Sequence, residues 1–167
     1  ATESAKNVLS YLYSVRNANK IVAGQQISID SEYSHLYSLT GKYPALIAMD
    51  YTPGWSPDIE STSISHWKNK GLVSLSWHQS NPTTPYNSGY ANACLPLTAQ
   101  QLQDVITPGT ALYNTWLNHI DQMAENLKVL RDSGVVVLWR PYHESDGGWF
   151  WWGNHGNTTI QIWKNMY

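Results

Sequence analysis

The densest chemistry in the sequence is the run Arg140-Pro141-Tyr142-His143-Glu144-Ser145-Asp146-Gly147-Gly148-Trp149-Phe150-Trp151-Trp152-Gly153, which follows an unbroken apolar stretch at residues 135–139. An apolar stretch without alternation suits a parallel strand buried on both faces. Catalytic groups of α/β folds collect at the carboxyl ends of such strands. A carboxyl group placed there and walled by indoles is kept protonated towards neutral pH by desolvation, which equips it to donate a proton. Glu144 is therefore a candidate general acid. The same residues allow a plainer reading, in which Glu144 and Arg140 form a buried structural ion pair and the clustered tryptophans are ordinary core. Asp146 is close to Glu144 in sequence, but Asp-Gly-Gly reads as a turn in which the aspartate bonds its own backbone.

The elements that must position this run alternate between helical and strand periods, which predicts an α/β fold. Ala5, Val8, Leu9, Leu12 and Val15 recur at helical spacing, and a first strand is expected at residues 21–23, ending at Gly24. A second helix through Tyr33, Leu36, Tyr37 and Leu39 stops at Gly41, and a second strand over 45–49 ends at Asp50. An amphipathic segment at 63–70 leads to a third strand over 72–78. There Leu72, Ser74, Ser76 and His78 share one face and Val73, Leu75 and Trp77 the other. The small, polar face suits a crowded barrel interior and puts His78 at its carboxyl end. The loop at 79–97 has the length of functional or disordered loops. Leu112, Trp116, Ile120, Met123, Leu127 and Leu130 mark the clearest helix, which Gly134 ends before the fourth strand at 135–139. A last helix carries Ile160, Ile162 and Trp163.

Composition narrows the classes. With 167 residues the chain fits about one domain. Charged residues are 13% and the net charge is −2, so neither nucleic acid nor a membrane is the expected partner. Nine Trp and eleven Tyr against one Phe favour rings that pair an apolar face with a polar edge, as sugar clefts do. Cys94 is the single cysteine, so no disulfide forms within the chain and no thiolate cluster holds a metal. His78, His143 and His155 lack the spacing of a zinc site, and no metal or other cofactor is expected. His35, His66 and His119 fall on helices, where burial with a partner or simple exposure is the plain reading. The start Ala-Thr-Glu-Ser fits a processed secreted protein as well as a trimmed piece.

The run at 140–153 resembles the signature of glycoside hydrolase family 26, mostly endo-β-1,4-mannanases built on a (β/α)8 barrel. Gly24-Gln25-Gln26, Asp50, Trp77-His78 with Asn81-Pro82, and Trp163 agree with it in order. The resemblance implies a secreted, retaining hydrolase of β-mannan or manno-oligosaccharides with Glu144 as acid/base. It also implies that His78, His143 and Trp149 shape the sugar subsite beside the scissile bond. Tyr142, Ser145 and Asp146 depart from the more usual Leu before the His-Glu pair and Met-Asn after it. Trp149 and Trp152 are the expected stacking platforms for pyranose faces, with Trp151 in the wall. Tyr86 and Tyr90 would line further subsites unless they merely staple their loop. Arg140 would orient a nearby carboxylate from behind.

The family's nucleophile is a second Glu at the end of the seventh barrel strand. Retaining hydrolysis needs two carboxyl groups about 5–5.5 Å apart. Asp50 could face the same opening, but binding a sugar hydroxyl explains it as well. A closed barrel needs about 250 residues, so residues 1–167 are expected to be the amino-terminal part of a single (β/α)8 catalytic domain, about its first four βα units. A half barrel exposes sheet edges and lining; its expected partner is the carboxyl-terminal half, and activity is not expected of it alone. The alternatives are a lichenase or β-1,3-xylanase of the same family, or a non-catalytic carbohydrate-binding half barrel.

Overall fold

Thr2 accepts the Ala5 N–H (3.2 Å) and so caps α1 (Glu3–Asn17), whose first turn carries Glu3 and whose last turn carries Arg16, each at the end its charge favours. The computed structural model describes residues 1–28, 30–56 and 58–167. After α1 come β1 (Gly24–Gln26), α2 (Asp30–Thr40), β2 (Leu46–Asp50), α3 (Ile59–Lys68) and β3 (Leu72–Trp77). Then follow α4 (Tyr90–Ala93), α5 (Ala99–Val105), α6 (Ala111–Asp132), β4 (Val137–Pro141) and α7 (Asn157–Met166). The strands form one parallel sheet in the order β1-β2-β3-β4. The chain divides into two compact units, residues 1–50, 55–75 and 128–139, and residues 51–54, 76–127 and 140–167. Among the described residues no helix is long and apolar enough to cross a membrane.

The first unit holds β1, β2 and most of β3 and β4. Its β1 lies beyond the expected 21–23, because parallel pairing aligns Gly24 with Leu46 and Gln26 with Ala48, whereas Ile21 is 92% exposed. The inner strand β3 is buried along its whole length on both faces, so its polar face is as dry as its bulky one. Ser74 Oγ satisfies itself there by donating to the Leu138 carbonyl (3.1 Å). Strand β4 sits two residues later than its apolar run suggested, and its first three residues are half-buried and Arg140 exposed. The expectation of burial on both faces fails because β4 is an edge of the described sheet, where Pro141, which has no N–H to donate, is tolerated. Gly134, with φ +76°, ends α6 in the left-handed conformation that glycine adopts without penalty.

The second unit has its own core. Ala93, Leu97, Leu102, Val105, Trp116, Tyr142, Phe150, Trp151, Trp152 and Ile162 are buried together, with Cys94 packed against them. The loop at 79–97 is therefore ordered rather than loose: it contains α4, and the Ala93 carbonyl accepts the Trp151 N–H (3.0 Å). Asn81 ties the loop by donating to the Leu95 carbonyl (2.7 Å) and accepting from Thr83 N–H (2.8 Å). Helix α5, which hydrophobic period alone does not predict, starts on a capping box in which Thr98 accepts from Gln101 N–H and Gln101 Oε1 accepts from Thr98 N–H.

Candidate active site

Strand β4 ends at Pro141, and the chain turns at once through two left-handed residues, Tyr142 (φ +47°) and Glu144 (φ +54°). Such a conformation costs roughly 1–2 kcal/mol per non-glycine residue, so its surroundings must hold it. Tyr142 is buried, and its hydroxyl accepts from Trp116 Nε1 (2.9 Å) and donates to Gln79 Oε1 (2.7 Å). Burial pushes its phenol far above the usual tyrosine range, against the opposing pull of the Trp116 hydrogen bond, so the proton stays on.

Between these two residues His143 meets His78. Their Nε2 atoms are 3.1 Å apart, with the rings T-shaped at 4.4 Å, so one nitrogen donates and the other accepts. His78 is fixed further by its main-chain N–H, which donates to Thr52 Oγ1 (3.2 Å), and by edge contacts with Phe150 (5.0 Å) and Tyr90 (5.2 Å). The phenol of Tyr90 is raised above its ordinary range, first by its hydrogen bond with Cys94 and least by the charge of Glu144.

Glu144 itself is exposed, and Trp149 Nε1 donates to its Oε2 (2.9 Å). This corrects the expected indole enclosure: Phe150, Trp151 and Trp152 are buried in the core of the unit, and Trp149 alone among these rings hydrogen-bonds the carboxylate. Trp149 is 53% exposed and lies over Gly147, where a Cβ would run into its six-membered ring. Arg140 is exposed and forms no ion pair among the described residues, so neither the structural pair with Glu144 nor a role in orienting a carboxylate is seen.

One expected platform, Trp152, and one expected subsite residue, Tyr86, belong to packing. Trp152 is fully buried, stacked on Phe150 at 4.5 Å, with Nε1 donating to the His143 carbonyl (3.0 Å), which leaves no ring face for a sugar. Tyr86 packs against Trp77 and His119, and its hydroxyl accepts from Asn126 Nδ2 (3.2 Å), so it staples its loop to α6. In the first unit, Asp50 closes β2, 2% exposed, its N–H donating to Ser56 Oγ (3.0 Å). Of the helical histidines, His66 and His119 are buried and His35 is exposed. The residue that sequence reasoning missed is Gln79, while Tyr90, expected to line a further subsite, is set edge-on against His78. The one signal for Gln79 in the sequence was a polar residue directly after His78.

A family model for glycosyl hydrolase family 26 matches residues 1–167. The chain is 37% identical over 184 residues to a mannan endo-1,4-beta-mannosidase of Thermothelomyces thermophilus, an alignment that takes in 100% of this chain and 37% of the relative. It is 30% identical over 190 residues to a mannan endo-1,4-beta-mannosidase of Bacillus subtilis, covering 100% of this chain and 52% of that protein. Among solved structures, GH26A from Muricauda sp. MAR_2010_75 superposes with a TM-score of 0.87 at 30% identity, over 100% of this chain and 57% of that one. A beta-mannanase from a symbiotic protist of the termite Reticulitermes speratus, complexed with gluco-manno-oligosaccharide, superposes with a TM-score of 0.82 at 28% identity, over 99% and 57%. The chain thus spans 37% to 52% of the length of these two curated relatives. The structural neighbours are TIM-barrel mannanases, and the four parallel strands with their helices correspond to a half barrel of that kind. With the family model matching the whole of it, the chain belongs to glycosyl hydrolase family 26.

Proposed function

We propose that this chain is the amino-terminal part of a single (β/α)8 catalytic domain of a secreted enzyme that hydrolyses internal β-1,4 bonds of mannan, glucomannan or galactomannan with retention. The observation that carries the reading is the Glu144 carboxyl group, exposed after β4 with one oxygen fixed by the Trp149 indole and the other free for a leaving group. In the first step Glu144 gives its proton to the glycosidic oxygen as the C–O bond breaks. A second carboxylate, on polypeptide beyond these residues, attacks the anomeric carbon and forms a glycosyl ester. Glu144, now ionised, takes a proton from water as the water oxygen bonds the anomeric carbon, breaking the ester C–O bond and releasing the sugar and the second carboxylate.

The bound sugar supplies the desolvation that the turn does not, because it covers the exposed carboxyl group. The open face of Trp149 suits the C–H face of a pyranose, and His78 and His143, held to each other through Nε2, are assigned to shaping the same subsite. Asp50, at the end of β2, is assigned to hydroxyl binding. The test is Glu144→Gln in the polypeptide that carries the whole barrel. Turnover of mannohexaose should fall by about 10²–10⁴-fold, the range for a lost general acid, while mannohexaose still binds and an aryl mannoside with a good leaving group still forms the ester. Unchanged mannan hydrolysis would refute the assignment.

A further inference from the structure

Four buried groups of the second unit form a hydrogen-bonded chain that the proposed reaction does not use. Trp116 Nε1 donates to the Tyr142 hydroxyl, the hydroxyl donates to Gln79 Oε1, and Trp151 Nε1 donates to the Gln79 carbonyl (2.9 Å). Trp116, Gln79 and Trp151 are at most 1% exposed and Tyr142 is 4% exposed. Gln79 follows His78 and Tyr142 precedes His143, so the phenol–amide bond joins the turn after β3 to the turn after β4 next to both imidazoles.

The bond also sits where the backbone most needs support. Tyr142 and Glu144 are both left-handed, a strained state for bulky residues. Of the two, Tyr142 is the one anchored by a donor and an acceptor inside the core. A leucine at 142 would fill part of the volume but could not donate, and Gln79 would then bury an unpaired carbonyl beside its Nε2, which has no partner among the described residues.

Taking Glu144 as the acid, as read above, we propose that the Tyr142–Gln79 bond is a latch and that Tyr142 is a positioning residue for proton transfer, fixing the turn that aims His143 and Glu144. Loss of the latch leaves the carboxyl group in place chemically and wandering geometrically. Steps that need its proton slow, and steps that do not are spared.

Tyr142→Phe and Gln79→Leu, singly and together, test this in the polypeptide that carries the whole barrel. The substrates are mannohexaose, whose leaving group needs a proton, and a dinitrophenyl β-mannobioside, whose leaving group does not. Each single change should lower kcat on mannohexaose about tenfold, equivalent to about 1.4 kcal/mol, with KM within about twofold and the first-step rate on the activated substrate unchanged. The double variant should be no worse than the poorer single one, since both changes remove the Tyr142–Gln79 bond and Tyr142→Phe alone also removes the bond from Trp116. Equal losses on the two substrates, additive losses, or wild-type kcat would each overturn the latch. Gln79→Leu removes an unpartnered amide as well, so it keeps the test open should Tyr142→Phe fail to fold. If the wild type does not cleave mannohexaose, the functional reading fails by itself. The latch is then read from hydrogen exchange at the Gly147 and Asn154 amides, which bond the Glu144 and Ser145 carbonyls. Exchange about tenfold faster in Tyr142→Phe supports it, and unchanged exchange overturns it.

Discussion

Gly147→Ala should dislodge Trp149 from Glu144 without unfolding the protein. A Cβ at 147 would land on Cζ2 and Cη2 of the Trp149 ring, so the ring must move. The backbone at 147 is not left-handed, and the three atoms nearest an added Cβ all belong to the ring. Overpacking inside a core costs about 1–3 kcal/mol, but Trp149 is 53% exposed and swings towards water, which keeps the loss of stability below that range. What disappears is the 2.9 Å bond from Nε1 to Glu144 Oε2. Bonds to charged groups contribute about 1.5–3 kcal/mol, of which about 1 kcal/mol remains once water replaces the indole on an exposed carboxylate. That amounts to about a fivefold fall in kcat on mannan. The direct assay uses a ¹⁵N-labelled chain, in which the Trp149 indole cross-peak is the one missing from Trp149→Phe. In the wild type it should carry the shift of an indole bonded to a carboxyl group, and in Gly147→Ala it should move to the position of a water-exposed indole. Gly148→Ala is the matched control, because a Cβ there meets only Asn154 Nδ2 at 3.9 Å. An unmoved cross-peak in Gly147→Ala, or an equal displacement in Gly148→Ala, would refute the reasoning.

Trp152→Ala should cost about 3–5 kcal/mol in denaturant unfolding, as large-to-small changes of fully buried aromatics do, whereas Trp149→Ala should cost under about 1 kcal/mol because half its ring already meets water. Reversed rankings would reverse their assignment to core and cleft. Burial lowers the folded-state pKa of both His66 and His119 below the ordinary imidazole value of 6.5, with weaker opposing contributions from main-chain hydrogen bonds. The unfolded chain therefore takes up protons first as pH falls. The stability from these two groups is complete above pH 6.5 and is lost progressively below it, through the lowered folded values. Unfolding midpoints measured between pH 7.5 and 5 should decline on the acid side, and more gently in a His66→Gln/His119→Gln variant.

Much of the frame was legible in the sequence because it rests on period and punctuation. Helix α6 follows from apolar steps of three and four, its end from Gly134, and β3 from a run bounded by Gly71 and the polar loop. Strand β1 was misplaced because Gly-Gln-Gln has no strand pattern of its own; pairing with Leu46, Ile47 and Ala48 makes it one. Helix α5 was missed although Thr98 and Gln101 stand three apart, since a two-turn helix shows too little apolar period to notice. At the site, residue types single out Glu144, His143 and His78 as candidates, but not which tryptophan faces out. In the run Trp149-Phe150-Trp151-Trp152 no period separates inside from outside. The choice is made by backbone turns at Tyr142 and Glu144, and left-handed φ at such residues has no signature in their side chains.

Glycine or asparagine at 144 would relax that turn by roughly 1 kcal/mol on conformational grounds, whereas at 142 the loss of the buried ring outweighs the same gain. A breeding scheme that ranks variants only by survival of heating would therefore drift towards replacing the exposed carboxyl group. Robustness and turnover pull this short loop in opposite directions. Libraries that include positions 142–144 need a sugar-cleavage gate at every round, whereas the α1 surface can be hardened by heat alone.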